Sequence, residues 1–124
     1  MTVDQVRSVV AGLPRSYEVV VHGQIKFRVG QIVYVAFSRD ETLMGFAFPK
    51  EWREVLVGSD PDKFQLPRQS DMRFNWVVAR LDALDEAEMR ELVLDAWRIV
   101  VPKKVSAAHA AGVAEPPRES RNDS

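Results

Sequence analysis

The stretch from Met72 to Leu81, MRFNWVVARL, is the most informative part of the sequence, because its pattern predicts a β-strand whose two faces differ in chemistry. Neighbouring side chains of an extended strand point to opposite faces of a sheet. One face then carries Val77, Ala79 and Leu81. The other carries Phe74, Trp76, Val78 and Arg80. This pattern predicts a strand that is either buried on both sides or holds aromatic rings at a surface that something else covers.

Length and composition indicate a single globular domain. The chain has 124 residues, of which 46% are apolar and 28% charged, and this is enough for one hydrophobic core. The formal net charge of -1 gives no overall attraction to nucleic acid or membranes. The absence of cysteine excludes disulfides, thiolate zinc sites and thiol catalysis, and fits a reducing compartment.

The N-terminal sequence lacks the basic and apolar regions of a signal peptide. The longest apolar run, Ile32 to Phe37, is too short to span a bilayer. We therefore expect a cytoplasmic protein without a membrane partner.

Apolar periodicity and turn residues define the first half of the chain. Thr2 to Leu13 is predicted to be an amphipathic helix, with Thr2 and Gln5 at capping-box spacing. Gly30 and Gln31 are predicted to form a two-residue hairpin loop. The predicted strands are Glu18 to Val21, Ile25 to Val29, Ile32 to Phe37, and Leu43 to Phe48. Their connections are too short to hold helices, which favours an antiparallel meander.

The second half alternates between helix and strand. Pro49 suits the first turn of a helix whose apolar stripe is formed by Trp52, Val55 and Leu56. The last helix is predicted from Asp85 to Val101, with Asp85 as its cap. Its apolar stripe consists of Met89, Leu92, Val93, Ala96 and Val100.

The element order is α-β-β-β-β-α-β-α, with one extra strand allowed near residues 63–69. This order predicts an α+β domain in which helices pack on one face of an antiparallel sheet, over residues 1–104. Residues 105–124 are rich in Ala, Pro, Ser and charge, and they predict a disordered C-terminal tail.

Basic residues cluster around the predicted strand in MRFNWVVARL. This part of the sequence contains a single acid, Asp71, and four bases: Lys63, Arg68, Arg73 and Arg80. Phe74 and Trp76 are interleaved with these bases, and cationic grooves with stacking aromatic rings hold single-stranded nucleic acid. Lys63, Arg68, Arg73, Phe74, Trp76 and Arg80 are therefore the candidate nucleic-acid-binding residues. Two other interpretations remain open. The charged residues form an ordinary solvated surface, and Trp76 is a core residue.

Lys26 and Arg28 add to the basic side if they share its face. No nucleophile elbow, Walker loop or dinucleotide fingerprint occurs in the sequence. Two histidines, His22 in a turn and His109 in the predicted tail, make no metal site. We expect no enzyme activity, no cofactor and no metal.

A set of segments in this order resembles the MmcQ/YjbR family of small bacterial proteins. The segments are IKFRVGQIVYVAF, LMGFAF, PKEWREVLV, RFNWVVARL and ELVLDAWRIVVPKK, and the likeness covers residues 3 to 104. The resemblance implies a compact α+β domain similar to the CyaY-like fold, in a double-wing arrangement with a DNA-binding role. The family commonly has a histidine or a similar polar residue directly before the tryptophan, and this chain has Asn75 there.

Three functions compete at this point. The first is DNA binding through the candidate residues. The second is a protein-interaction module with an exposed aromatic patch, such as a weak homodimer. The third is a small-molecule binder with Trp76 lining a pocket. A contiguous basic groove would favour the first, a flat apolar patch the second, and a large cavity beside Trp76 the third.

Overall fold

The computed structural model of the chain describes residues 1–112, which form a six-stranded antiparallel sheet and four helices. The strands are β1 (Ser16–Val21), β2 (Gln24–Val29), β3 (Ile32–Phe37), β4 (Leu43–Ala47), β5 (Phe64–Gln65) and β6 (Trp76–Arg80). The helices are α1 (Val3–Val10), α2 (Arg53–Ser59), α3 (Glu86–Val100) and α4 (Lys103–Ala110). The sheet order is β1-β2-β3-β4-β6-β5, and the predicted α+β antiparallel fold is confirmed.

The meander of β1 to β4 is built from tight turns, as the sequence predicts. Val29 pairs with Ile32, so Gly30 and Gln31 form a two-residue loop in which Gly30 has a φ of 61°. A side chain at that φ is strained, which explains why glycine stands first in the loop. The extra strand expected near residues 63–69 is the short β5.

The predicted alternation of β6 separates the two faces of the sheet. Val77 and Ala79 are fully buried, whereas Trp76 and Val78 on the opposite face are half-buried. Helices α1 and α3 contact each other, and α3 lies against β3 and β4. The helices therefore cover the face that carries Val77, and we call the opposite face the open face.

The two helices that cover the sheet begin at the predicted caps. The Thr2 side chain accepts from Gln5 N and completes a capping box, and the Asp85 carboxylate accepts from Glu88 N at 2.8 Å. Helix α1 ends at Val10, earlier than predicted. Helix α3 buries Met89, Val93, Ala96 and Trp97. No helix among residues 1–112 is long and apolar enough to cross a membrane.

The apolar stripe predicted for the second helix is wrong for two of its three residues. Helix α2 begins at Arg53 rather than near Pro49, and it has only seven residues. Trp52 and Val55 are 63% and 65% exposed, while Arg53 is the buried residue. Leu56 of the predicted stripe does pack against the core, and Arg53 adds hydrogen bonds that hold the helix to the segment before β6.

The prediction of a disordered tail from residue 105 is wrong for its first part. Residues Lys103–Ala110 form α4, in which Val105 is 1% exposed. The His109 ring lies 5.0 Å from the Trp97 ring, measured between centroids. The composition suggested no core contribution, but one valine and one imidazole suffice to dock a helix on the end of α3. The rest of the predicted tail lies outside the described residues.

A buried hydroxyl pair joins β1 to β3. The Tyr34 hydroxyl lies 2.5 Å from Ser16 Oγ, and the Tyr34 side chain is inaccessible to solvent. Burial disfavours the phenolate and raises the pKa of Tyr34 to about 12, against the ordinary value of 10.

This pKa predicts a loss of stability at alkaline pH. Because the folded pKa is raised, the contribution is complete below about pH 10 and is lost as the pH rises towards about 12. The free energy of unfolding should therefore fall more steeply with pH above 10 for the wild type than for Tyr34→Phe. Urea titrations at several pH values measure the two slopes, and equal slopes would contradict the prediction.

Candidate functional site

A groove of about 870 Å³ lies on the open face of the sheet. Strand register places its central residues in one row across the sheet, because Lys26 pairs with Ala36, Ala36 with Gly45, and Gly45 with Val78. These four residues and Trp76 line the groove. The other strand residues that line it include Gln24, Val33, Leu43, Ala47 and Gln65. At one end α3 contributes Ile99 and Val100.

The Trp76 side chain is seated on Gly45. A Cβ atom at Gly45 would lie 2.5 Å from Nε1, 2.7 Å from Cζ2 and 2.8 Å from Cε2 of the indole. Because Nε1 and Cζ2 are both closer than Cε2, the atom bonded to both, the ring meets Gly45 with its edge. This edge of the ring therefore occupies the space over the sheet that a side chain at position 45 would fill. Only glycine leaves room for this arrangement.

The segment before β6 is fixed by hydrogen bonds from Arg53. Its guanidinium donates to the carbonyl oxygens of Phe74 at 2.9 Å and Trp76 at 3.2 Å, and also to that of Met72. Carbonyl groups thus satisfy a guanidinium that is only 6% exposed. Arg53 is a residue that the sequence analysis missed. Its partners lie 19 to 23 residues away, so no local pattern distinguishes it from the other arginines.

Asn75 also holds the segment before β6 in place. Its Oδ1 accepts from Lys50 N at 3.1 Å, and its carbonyl oxygen accepts from Phe48 N at 3.1 Å. Asn75 therefore links the segment before β6 to the end of β4, the strand that carries Gly45. The position before the tryptophan has a structural role in this chain.

The structure brings three of the six predicted site residues to the groove. Arg68, Phe74 and Trp76 line it, and Phe74 is 50% exposed. Arg73 lies beside them, with its guanidinium carbon 4.7 Å from the centre of the Phe74 ring. Arg68 forms an ion pair with Asp71 at 3.3 Å.

The other two predicted residues lie elsewhere. Lys63 Nζ donates to the Glu88 carboxylate at 2.8 and 2.9 Å, and this bond raises the pKa of the Lys63 ammonium. It lines a separate cavity of about 420 Å³ beside α3. Arg80 pairs with Leu43 on the open face, but its guanidinium lies 3.5 Å from Asp82 and does not line the groove. The basic residues that lie close together in the sequence are therefore separated in the folded structure.

Lys26 supplies a cation that was predicted to join the basic residues only if it shared their face of the sheet. It and Arg28 share the open face, and Lys26 lines the groove. Within residues 1–112 the Lys26 ammonium has no hydrogen bond or ion pair. The groove thus combines an apolar floor, an indole wall and an uncompensated cation. No cluster of three or more His, Cys, Asp or Glu residues that could hold a metal occurs in the described part of the chain.

Comparisons with known proteins agree with this architecture. A family model described as YjbR matches residues 11–99. The crystal structure of the Deinococcus radiodurans protein DR2400, with a DUF419 domain, is similar with a TM-score of 0.72 and 21% sequence identity. The match covers 98% of this chain and 96% of that chain, and at this identity it shows the fold alone. No curated protein matches the chain.

Proposed function

The chain belongs to the YjbR family, and we propose that it is a non-enzymatic binding protein that holds a small molecule against Trp76. The groove of about 870 Å³ carries the proposal. Ligand pockets of roughly 300–1,000 Å³ are lined mainly by apolar side chains with a few polar groups, and this groove matches both features.

The charged groups of the groove support binding rather than catalysis. The titratable side chains that line it are Lys26, Arg68 and Asp71, and the last two form an ion pair with each other. An ammonium, and a guanidinium with its paired carboxylate, form charge-assisted hydrogen bonds to polar or anionic groups, and they can hold a ligand in this way.

The proposal predicts that Trp76 reports ligand binding. In a fragment screen by ¹⁵N-edited NMR, ligands should shift the indole N–H resonance of Trp76, which Trp76→Phe identifies among the three indoles of the chain. Trp76→Ala should weaken binding by about tenfold or more, because it removes the aromatic wall. Trp52→Ala is the matched control, since Trp52 is exposed on α2, and it should leave affinity unchanged. Ligands that shift only Trp52 or Trp97 would refute the proposal.

DNA binding is the second candidate function. The observation that favours it is the pair formed by exposed Phe74 and the Arg73 guanidinium stacked on its ring, next to Arg68. Aromatic rings flanked by arginine bind unstacked bases, while the cations contact phosphate. A nucleic acid that crosses the groove would meet Lys26, Arg68 and Arg73.

A salt series tests this candidate. If Arg73 contacts phosphate, the slope of log K against log salt should decrease by about 0.7–0.9 for Arg73→Gln, on single- or double-stranded DNA. Lys63→Gln is the control, because Lys63 pairs with Glu88 away from the groove, and it should leave the slope unchanged. Equal slopes for wild type and Arg73→Gln, or equal losses for both variants, would exclude DNA binding at this site.

A further inference from the structure

We propose that the ligand of the groove is a planar aromatic ring bearing an anionic group, with the ring against Trp76 over Ala36 and the anion at Lys26. This inference rests on the proposed function and names the chemical class of the ligand. It follows from the order of side chains across the open face of the sheet.

The side chains on the floor of the groove are smallest at one place. Ala36 and Gly45 are register partners on neighbouring strands, and their side chains are one methyl group and one hydrogen. The indole of Trp76 occupies the space over Gly45 that a side chain would fill, so it borders this floor. A flat ring laid over Ala36 contacts the indole at its side and has a methyl group beneath it. A bulky or saturated group gains less from such a slot.

The anion position is set by Lys26. Lys26 pairs with Ala36 on the side opposite to Gly45, so Ala36 lies between the cation and the tryptophan. Two strand spacings, about 10 Å, separate the backbones of Lys26 and Gly45. One or two fused rings with a carboxylate bridge this distance, with the lysine side chain folded towards the ligand.

The Lys26 ammonium is available to a ligand, whereas the Arg68 guanidinium already has a partner. The Arg68 guanidinium already has the Asp71 carboxylate at 3.3 Å, whereas the half-buried Lys26 has no such partner in the described residues. A partly desolvated cation gains from a charge-assisted hydrogen bond to an incoming anion. The charge of the groove therefore selects an anionic ligand at the Lys26 end.

Three related compounds test the two parts of the ligand separately. The probes are 2-naphthoate, its neutral isostere 2-naphthamide, and acetate, which has the anion without the ring. The full chain is titrated with each compound, and the Trp76 indole resonance gives the affinity. We expect 2-naphthoate to bind about fivefold more tightly than 2-naphthamide, and acetate not to bind measurably.

Variants of the floor and the cation locate the ligand. Lys26→Gln should weaken 2-naphthoate binding about fivefold and leave 2-naphthamide binding unchanged, and Lys26→Arg should restore the preference for the acid. Lys104→Gln, an exposed lysine of α4, is the charge-matched control and should have no effect. Ala36→Leu should abolish binding of both compounds, because it fills the slot. Each variant is first shown to keep the wild-type denaturation midpoint.

The outcomes separate this inference from the proposed function. Equal affinity for 2-naphthoate and 2-naphthamide, or no change in Lys26→Gln, would overturn the anion assignment and leave the groove as a binding site. Binding that persists in Ala36→Leu would overturn the position of the ring. If neither aromatic compound binds, the ligand class is wrong, and the proposed function fails only if the fragment screen also leaves the Trp76 indole unshifted.

Discussion

Trp97→Ala is expected to lower the free energy of unfolding by about 3–5 kcal/mol, the largest effect of any single tryptophan substitution in this chain. Trp97 is inaccessible to solvent, and its indole N–H donates to the carbonyl oxygen of Pro14 at 2.9 Å. The substitution leaves a large cavity beneath α4 and removes the ring that His109 contacts. Urea denaturation followed by far-ultraviolet circular dichroism measures the loss.

Trp52→Ala is the matched control for this substitution. Trp52 is 63% exposed at the start of α2, so its replacement should change the free energy of unfolding by less than about 0.5 kcal/mol. The sequence places both tryptophans on helices and gives no reason to separate them. Similar denaturation midpoints for the two variants would show that α3 does not bury Trp97 as described.

Arg53→Ala is expected to have the second-largest effect, about 2–3 kcal/mol of lost stability. The substitution removes the donors to the carbonyl oxygens of Met72, Phe74 and Trp76, and it frees the segment before β6. Arg53→Lys should not restore stability, because a single ammonium cannot replace a planar guanidinium that reaches several carbonyl groups. Thermal unfolding measures the stability, and the Trp76 indole resonance reports the released segment.

Arg98→Ala provides the corresponding control on an exposed arginine. Arg98 forms a surface ion pair with Asp95 on α3, and such a pair contributes little to stability. A loss as large as that of Arg53→Ala would mean that removal of any arginine destabilises the protein. A wild-type indole shift in Arg53→Ala would mean that Arg53 does not position the groove.

The fold was predictable because its decisive signals are local. Alternation in MRFNWVVARL separates a covered face from an open one, and Gly30-Gln31 sets the register of a hairpin through its own backbone preference. The caps Thr2 and Asp85 likewise act within one helical turn. Each of these signals needs only neighbours in sequence, which is why the antiparallel meander and the two main helices were correctly placed.

The site was predictable only in part because its residues meet through the tertiary structure. The bases that cluster in the sequence are separated in the structure, because Lys63 bonds to Glu88, 25 residues away, and Arg80 lies beside Asp82. Gly45 could have been recognised, since glycine inside a strand marks a close approach of another group. Arg53 and Lys26 could not, because nothing local shows which arginine is buried or which lysine lies beside a groove.

The strand order of the sheet also determines when the groove is assembled. The hairpins of β1 to β4 close over short turns, whereas pairing of β4 with β6 must bring together the two ends of residues 48–75. During synthesis from the N-terminus, β4 therefore remains an unpaired edge until residue 80 has been made. Unpaired apolar edges promote aggregation. The same strand that brings Trp76 to the groove thus ends the period in which the growing chain is most exposed to misassembly.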